Sequence, residues 1–176
     1  SIGATKTGGN TDTLLVNMSL TTENGSEVNP VRAGIEGTYG EVEVTQSDGT
    51  TDKETNAQNA KASFNYKRVF ESGSYGYADA NVLHDELADI DYRAIIGPGY
   101  GFFVYNTEPA KCGLEIGPSY VFEKVAGVKD DYLTLRFGER YDRQLSETAK
   151  VWQSVEYLPR IDDWGDYLLN AEIGVD

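Results

Sequence analysis

Ile96-Gly97-Pro98-Gly99-Tyr100 recurs 20 positions later as Ile116-Gly117-Pro118-Ser119-Tyr120. Each copy sits in a run whose side chains alternate between apolar and polar or small. Around the first, Tyr92, Ala94, Ile96, Pro98, Tyr100, Phe102 and Val104 share one face, against Asp91, Arg93, Ile95, Gly97, Gly99 and Gly101. Around the second, Leu114, Ile116, Tyr120 and Phe122 oppose Glu115, Gly117, Ser119 and Glu123. A period of two is the signature of a strand with unlike faces. Two matched runs one hairpin apart predict an up-and-down antiparallel meander. A long meander leaves two unpaired edges, and closure into a barrel removes both. Pro98 and Pro118 cannot donate to a ladder, so each Gly-Pro step marks a bulge or bend. Barrels need such bends.

Working outward, ten extended segments are predicted: Ile2 to Thr7, Thr13 to Thr22, Val31 to Gln46, Asn56 to Phe70, Tyr75 to Leu83, Asp91 to Tyr105, Cys112 to Glu123, Tyr132 to Asp142, Val151 to Leu158 and Tyr167 to Val175. Turn chemistry separates them, as in Gly8-Gly9-Asn10, Asn24-Gly25-Ser26, Ser47-Asp48-Gly49, Glu71-Ser72-Gly73 and Trp164-Gly165-Asp166. The fold expected is all-β, an antiparallel up-and-down meander of about ten or more strands closed into a β-barrel. Residues 1–176 read as a single barrel domain. Ser1 is not an initiator Met, and the residues from Ala171 to Asp176 still read as strand. An N-terminal signal and some terminal strand residues are therefore expected beyond the chain.

The 176 residues carry a net charge of −14, from 29 acidic against 15 basic side chains. Most of the acidic excess falls in turn-like segments, as a solvated surface would have it. Such a charge repels nucleic acid and anionic membrane surfaces, so neither is expected as a direct partner. No stretch of about 18 apolar residues exists, so a membrane reading has to be a barrel reading. Tyr supplies 12 of the aromatic side chains. It forms strands readily and suits a surface apolar at one end and wet at the other. The lone Cys112 permits no intrachain disulfide.

The face that carries the glycines also carries Arg93, Glu115, Glu123, Arg136, Arg140 and Glu156. A turn near Glu108 sets Arg93 opposite Glu123. One near Val128 brings Glu115 to Arg140, and one near Ser146 brings Arg136 to Glu156. These six are the candidate binding residues of a charged lumen. Read structurally, they are paired charges plugging a polar interior, with glycines making room for long side chains.

Catalytic chemistry finds little support. His84 is the single histidine and has no nucleophile signature beside it. One Cys and one His cannot build a structural zinc site. Asp85, Glu86, Asp89 and Asp91 could gather Ca²⁺, but their spacing misses the calcium-loop pattern. No enzyme activity, metal or cofactor is expected.

Gly9-Asn10-Thr11-Asp12-Thr13, then Asp91-Tyr92-Arg93-Ala94 leading into Gly97-Pro98-Gly99-Tyr100-Gly101, then Leu114-Glu115-Ile116-Gly117-Pro118-Ser119-Tyr120, occur in that order. With them the chain resembles, over nearly its whole length, the family of salt-induced outer-membrane proteins of bacteria, a domain of unknown function. The resemblance implies an outer-membrane-type β-barrel delivered by a signal peptide, with no catalytic residues. It implies a structural or salt- and osmotic-stress-adaptive role in the cell envelope. Membrane lipid would meet the outward apolar face. Family members carry further strands beyond this chain, and barrels of this kind end on an aromatic residue where this one ends on Asp176. Glu41 and Glu43 interrupt the apolar face of their strand. The competing expectation is a secreted β-rich subunit that self-assembles through its edge strands into extracellular fibres or tubes.

Overall fold

The computed structural model describes residues 2–7, 12–26, 28–45, 51–146 and 148–175. The expected turns Gly8-Gly9-Asn10 and Ser47-Asp48-Gly49 lie outside the described residues. A six-residue segment, β1 (Ile2–Thr7), pairs along the edge of β2 (Asp12–Ser26). From β2 onward, nine long strands run among the described residues: β3 (Asn29–Thr45), β4 (Thr51–Val69), β5 (Ser74–Asp85), β6 (Ile90–Thr107), β7 (Ala110–Val125), β8 (Val128–Ser146), β9 (Ala149–Pro159) and β10 (Tyr167–Val175) complete the set. Each is hydrogen-bonded antiparallel to the next, in strict sequence order. The sheet curls strongly into a half-barrel. The two edge strands do not pair with each other among the described residues. The antiparallel up-and-down meander is as expected.

The hairpins are tight where the sequence supplies turn chemistry. Ala126 and Gly127 both take positive φ, +49° and +78°, the geometry of a two-residue turn whose twist matches its strands. Glu108-Pro109 makes an equally short link between β6 and β7, whose residues Thr107 and Ala110 pair. Gly73, at φ +77°, closes the β4–β5 hairpin where Glu71-Ser72-Gly73 predicted it.

Period-two alternation then sorts side chains to two faces. Outward rows run across strands in register: Leu20 with Ile35, Ala33 with Phe64, Val82 with Ala94, Ala80 with Ile96, Tyr100 with Ile116, and Ile116 with Phe137. These large apolar groups stay exposed, Ile96 at 56% and Leu20 at 67%. The concave face holds the buried groups, Tyr75, Tyr77, Val121, Tyr132, Leu158, Thr134 and Arg136 among them. This distribution inverts that of a water-soluble domain, where large contiguous apolar patches are rare on the surface.

The Gly-Pro doublet meets itself. Ile96↔Tyr120 and Tyr100↔Ile116 bracket the two Gly-Pro steps on β6 and β7. A Cβ added to Gly97 would lie 2.3 Å from the Pro118 carbonyl oxygen, and one added to Gly117 would lie 2.3 Å from that of Pro98. The two strands therefore approach more closely here than any side chain on that face allows. Farther along β6, Gly99 and Gly101 leave room for the Tyr77 and Tyr75 rings of β5, which would touch an added Cβ at 2.1 and 2.4 Å.

Candidate functional site

The concave face is a network of charges centred on β7 and β8. Glu115 accepts from the Lys67 ammonium of β4 at 2.7 Å, from the Tyr75 hydroxyl of β5 at 2.9 Å and from Arg136 Nη1 at 2.8 Å. Arg136 turns its Nε to Glu156 of β9 at 3.0 Å, with Nη2 on the same carboxylate oxygen. Its Nη1 also lies 3.5 Å from Asp79 of β5, whose other oxygen takes the Asn65 amide. The Arg136 guanidinium stands 5.0 Å over the Tyr77 ring. Lys67–Glu115, Tyr75–Glu115, Arg136–Asp79 and Arg136–Tyr77 join strands that are not neighbours in the sheet, so these four contacts exist only because it curls. Charge-assisted, multidentate bonds of this kind are the strong ones, and one arginine fork here serves three carboxylates.

The six residues singled out in the sequence separate as follows. Arg93 stands opposite Glu123 and bonds it through Nε, the row expected from the Glu108 turn. Arg136 and Glu156 also meet, diagonally: the residue directly opposite Glu156 is Gly138. Glu115 and Arg140 do not meet. Glu115 faces Gly138, while Arg140 faces Gly113 on one side and Ser154 on the other. The cause is the turn, which lies at Ala126-Gly127 rather than near Val128 and slides the register by two residues, which keeps every side chain on its face but changes its partner. Arg140 instead binds Asp142 at 3.1 Å and sits 5.7 Å from the Trp152 ring.

Lys67, Asp79, Tyr75 and Tyr77 belong to the network and were not singled out. For Lys67 the signal was present, since alternation puts it with Lys61, Ser63 and Asn65 on the polar face of β4. The tyrosines are signalled only indirectly, by glycines on the next strand that need a bulky neighbour to fill their space. Tyr77 Oη and Asp79 Oδ2 are the two buried side-chain polar atoms with no hydrogen-bond partner among the described residues.

Beside the network lies a cavity of about 820 Å³ on the concave face. Lys61, Lys67, Glu115, Arg140, Ser154 and Glu172 are among its lining residues. The Lys61–Glu172 pair, at 3.0 Å, reaches from β4 to β10 across the open side of the curl.

The remaining candidates are occupied locally. His84 Nδ1 lies 2.9 Å from the Asp91 carbonyl oxygen, at a break in the β5–β6 register. Asp85 accepts from the backbone N–H groups of Leu87 and Ala88, Glu86 bonds Gln58, and Asp91 pairs with Lys124. In the β9–β10 loop, Arg160 binds Asp130 at 2.8 Å and Asp162 at 3.3 Å and lies over the Tyr132 ring at 4.2 Å. The hydrogen bond from Arg160 holds the Asp162 carboxyl below the usual carboxylate range.

A family model described as "Protein of unknown function, DUF481" matches residues 1–176. No curated protein matches the chain.

Proposed function

We propose that this chain, which belongs to the DUF481 family, is the wall of a closed, membrane-spanning β-barrel in the bacterial outer membrane. Its role there is structural or adaptive to salt and osmotic stress, without catalysis. The observation that carries the reading is the inversion of polarity. The convex face presents Leu20, Ile35, Phe64, Ile96, Tyr100 and Ile116 to the surroundings, all substantially exposed. The concave face is ion-paired. Lipid rewards the first arrangement and water penalises it.

Dimensions support it. At about 3.3 Å per residue and a tilt near 45°, the outward row from Tyr92 to Val104 rises roughly 28 Å, close to the ~25 Å apolar band of such barrels. An outward crevice of about 420 Å³ lined by Phe102, Leu114, Ile116, Phe137, Val155 and Tyr157 continues the same apolar surface. No helix among the described residues is long and apolar enough to cross a membrane, which leaves crossing by strands untouched. Closure by further strands and the salt-stress role rest on the resemblance to outer-membrane proteins. The test is reconstitution of the full-length protein with lipid vesicles. Strands protected from protease within the bilayer support the reading, and a detergent-free, soluble monomer overturns it.

A second reading, self-assembly outside the cell, is favoured by one observation. β10 pairs with β9 alone among the described residues, and its Ile173 and Val175 are 77% and 73% exposed. An open, apolar edge strand templates pairing with another chain. Fibres or tubes of native material under the electron microscope would favour it.

A further inference from the structure

We infer that the interior is a blind-ended cup, open to water at the rim carrying Lys111, Arg140 and Lys150 and shut at the opposite rim, so that ions and small polar solutes enter from one side and none pass through. The geometry of the cavity stands without the membrane reading; passage across a bilayer rests on it.

The two rims differ in what fills them. The cavity is lined at one end by residues of the β6–β7 and β8–β9 hairpins, Glu108 and Lys111 on one and Gln144 and Lys150 on the other. Toward the other end its lining includes Arg93, Ile95, Ser119, Leu158 and Leu168. In register with Ile95 and Ser119 stand groups that do not line it, Val121 and Thr134, both 0% exposed, with Ile90 and Tyr132 also buried toward that rim. Leu158 is itself fully buried.

Polar bonds seal this apolar layer from outside. Arg93 binds Glu123, which also accepts from the Tyr132 hydroxyl at 3.1 Å. Arg160 covers the Tyr132 ring from the β9–β10 loop. That loop is stitched down by Ile161 N–H to the Leu133 carbonyl at 3.0 Å and Arg160 N–H to the Asp166 carbonyl at 2.9 Å. The burial holds although the sheet is open along one side. A dry apolar constriction excludes water and with it any hydrated ion. The cup above has the opposite chemistry, with both signs of charge on its walls, and admits hydrated solutes rather than hydrocarbon.

Thiol accessibility tests the inference on the full-length protein with Cys112→Ser as background. Single cysteines are placed in the cup (Ser154→Cys) and in the sealed layer (Val121→Cys and, independently, Thr134→Cys). A charged, membrane-impermeant maleimide is added to either side of vesicles carrying the protein. Ser154→Cys is expected to label from one side only, and both sealed-layer cysteines at least roughly tenfold more slowly from either side, since reagent reaches them only through local opening. The unsubstituted protein is expected to give no conductance steps in a planar bilayer. Labelling of Val121→Cys or Thr134→Cys as fast as Ser154→Cys, or steady wild-type conductance, overturns the proposal. If the protein fails to enter vesicles, the membrane reading falls, and the same contrast in labelling rates is read in buffer.

Discussion

The β7–β8 wall and the far end of the β3–β4 hairpin are made of strands of similar length, 16 and 19 residues against 17 and 19. They use that length differently. Along β7 and β8 the inward positions hold Glu115, Ser119, Val121, Thr134 and Arg136, which are buried or nearly so, while the outward positions from Leu114 to Phe122 and from Leu133 to Phe137 are apolar. Along β3 and β4 the outward apolar row stops at Tyr39. A register break follows between Gly40 and Glu41, and past it Lys53 sits 3.7 and 3.2 Å from Glu41 and Glu43 in the open. The run from Thr51 to Thr55 has no apolar residue on either face. One stretch is built for two unlike environments, one on each side of the sheet. The other is built for water on both sides, as a hairpin projecting beyond an apolar band would be.

The sharpest way to break this contrast is to remove the arginine that serves three carboxylates. Arg136→Ala leaves Glu115, Glu156 and Asp79 facing one another without their shared cation, and such an uncompensated buried charge costs about 3–5 kcal/mol. Lys53→Ala, in the projecting hairpin, removes an ammonium that is 62% exposed and is expected to change nothing measurable. Denaturant unfolding of both variants from lipid reads the difference. Equal, small losses would mean that the Arg136 network is wet and that the two regions are alike.

A second comparison probes the outer face. Ile96→Lys places a cation in the middle of the apolar row, which costs about 2–4 kcal/mol if that row meets the midplane of a bilayer. Thr55→Lys, in the projecting end, is expected to stay within about 0.5 kcal/mol of the parent. Both are measured as unfolding free energies in vesicles. A tolerated Ile96→Lys removes lipid as the neighbour of this face.

How much of this was legible in sequence depends on the range of the contact. The β6–β7 row Arg93↔Glu123 was readable because the Glu108-Pro109 turn and the repeated Gly-Pro step both fix that hairpin. The β7–β8 register was not, because the chain turns on Ala126 at positive φ, and an alanine carries no advance sign of that conformation. The two-residue slip took Arg140 away from Glu115. Lys67–Glu115 and Arg136–Asp79 were beyond reach for a different reason. They join strands three apart in the sheet, so they depend on how tightly it curls, and alternation says which face a residue takes but not what stands across from it. The projecting end of β3 was legible in Glu41 and Glu43. The expected closure was drawn from the general cost of open edges, which fixes no partner for β10.

Glycine substitutions give the finest version of the same comparison. At Gly97, in the close approach between β6 and β7, an added Cβ meets the Pro118 carbonyl oxygen at 2.3 Å and the Ser119 Cα at 2.9 Å. Both are backbone atoms, so no side chain can swing aside. Gly97→Ala therefore has to push the strands apart, and overpacking of this kind costs about 1–3 kcal/mol. At Gly37, on β3, an added Cβ meets only the Asn59 carbonyl oxygen at 3.7 Å, an ordinary contact. Gly37→Ala restricts the unfolded chain without crowding the folded one, and so is expected to be neutral or to stabilise by up to about 1 kcal/mol. Opposite signs for the two changes, read from unfolding midpoints, would place the tight seam of the sheet at the doublet. Like signs would mean that the β6–β7 approach is no tighter than the β3–β4 pair, and the bend assigned to the two prolines would have to lie elsewhere.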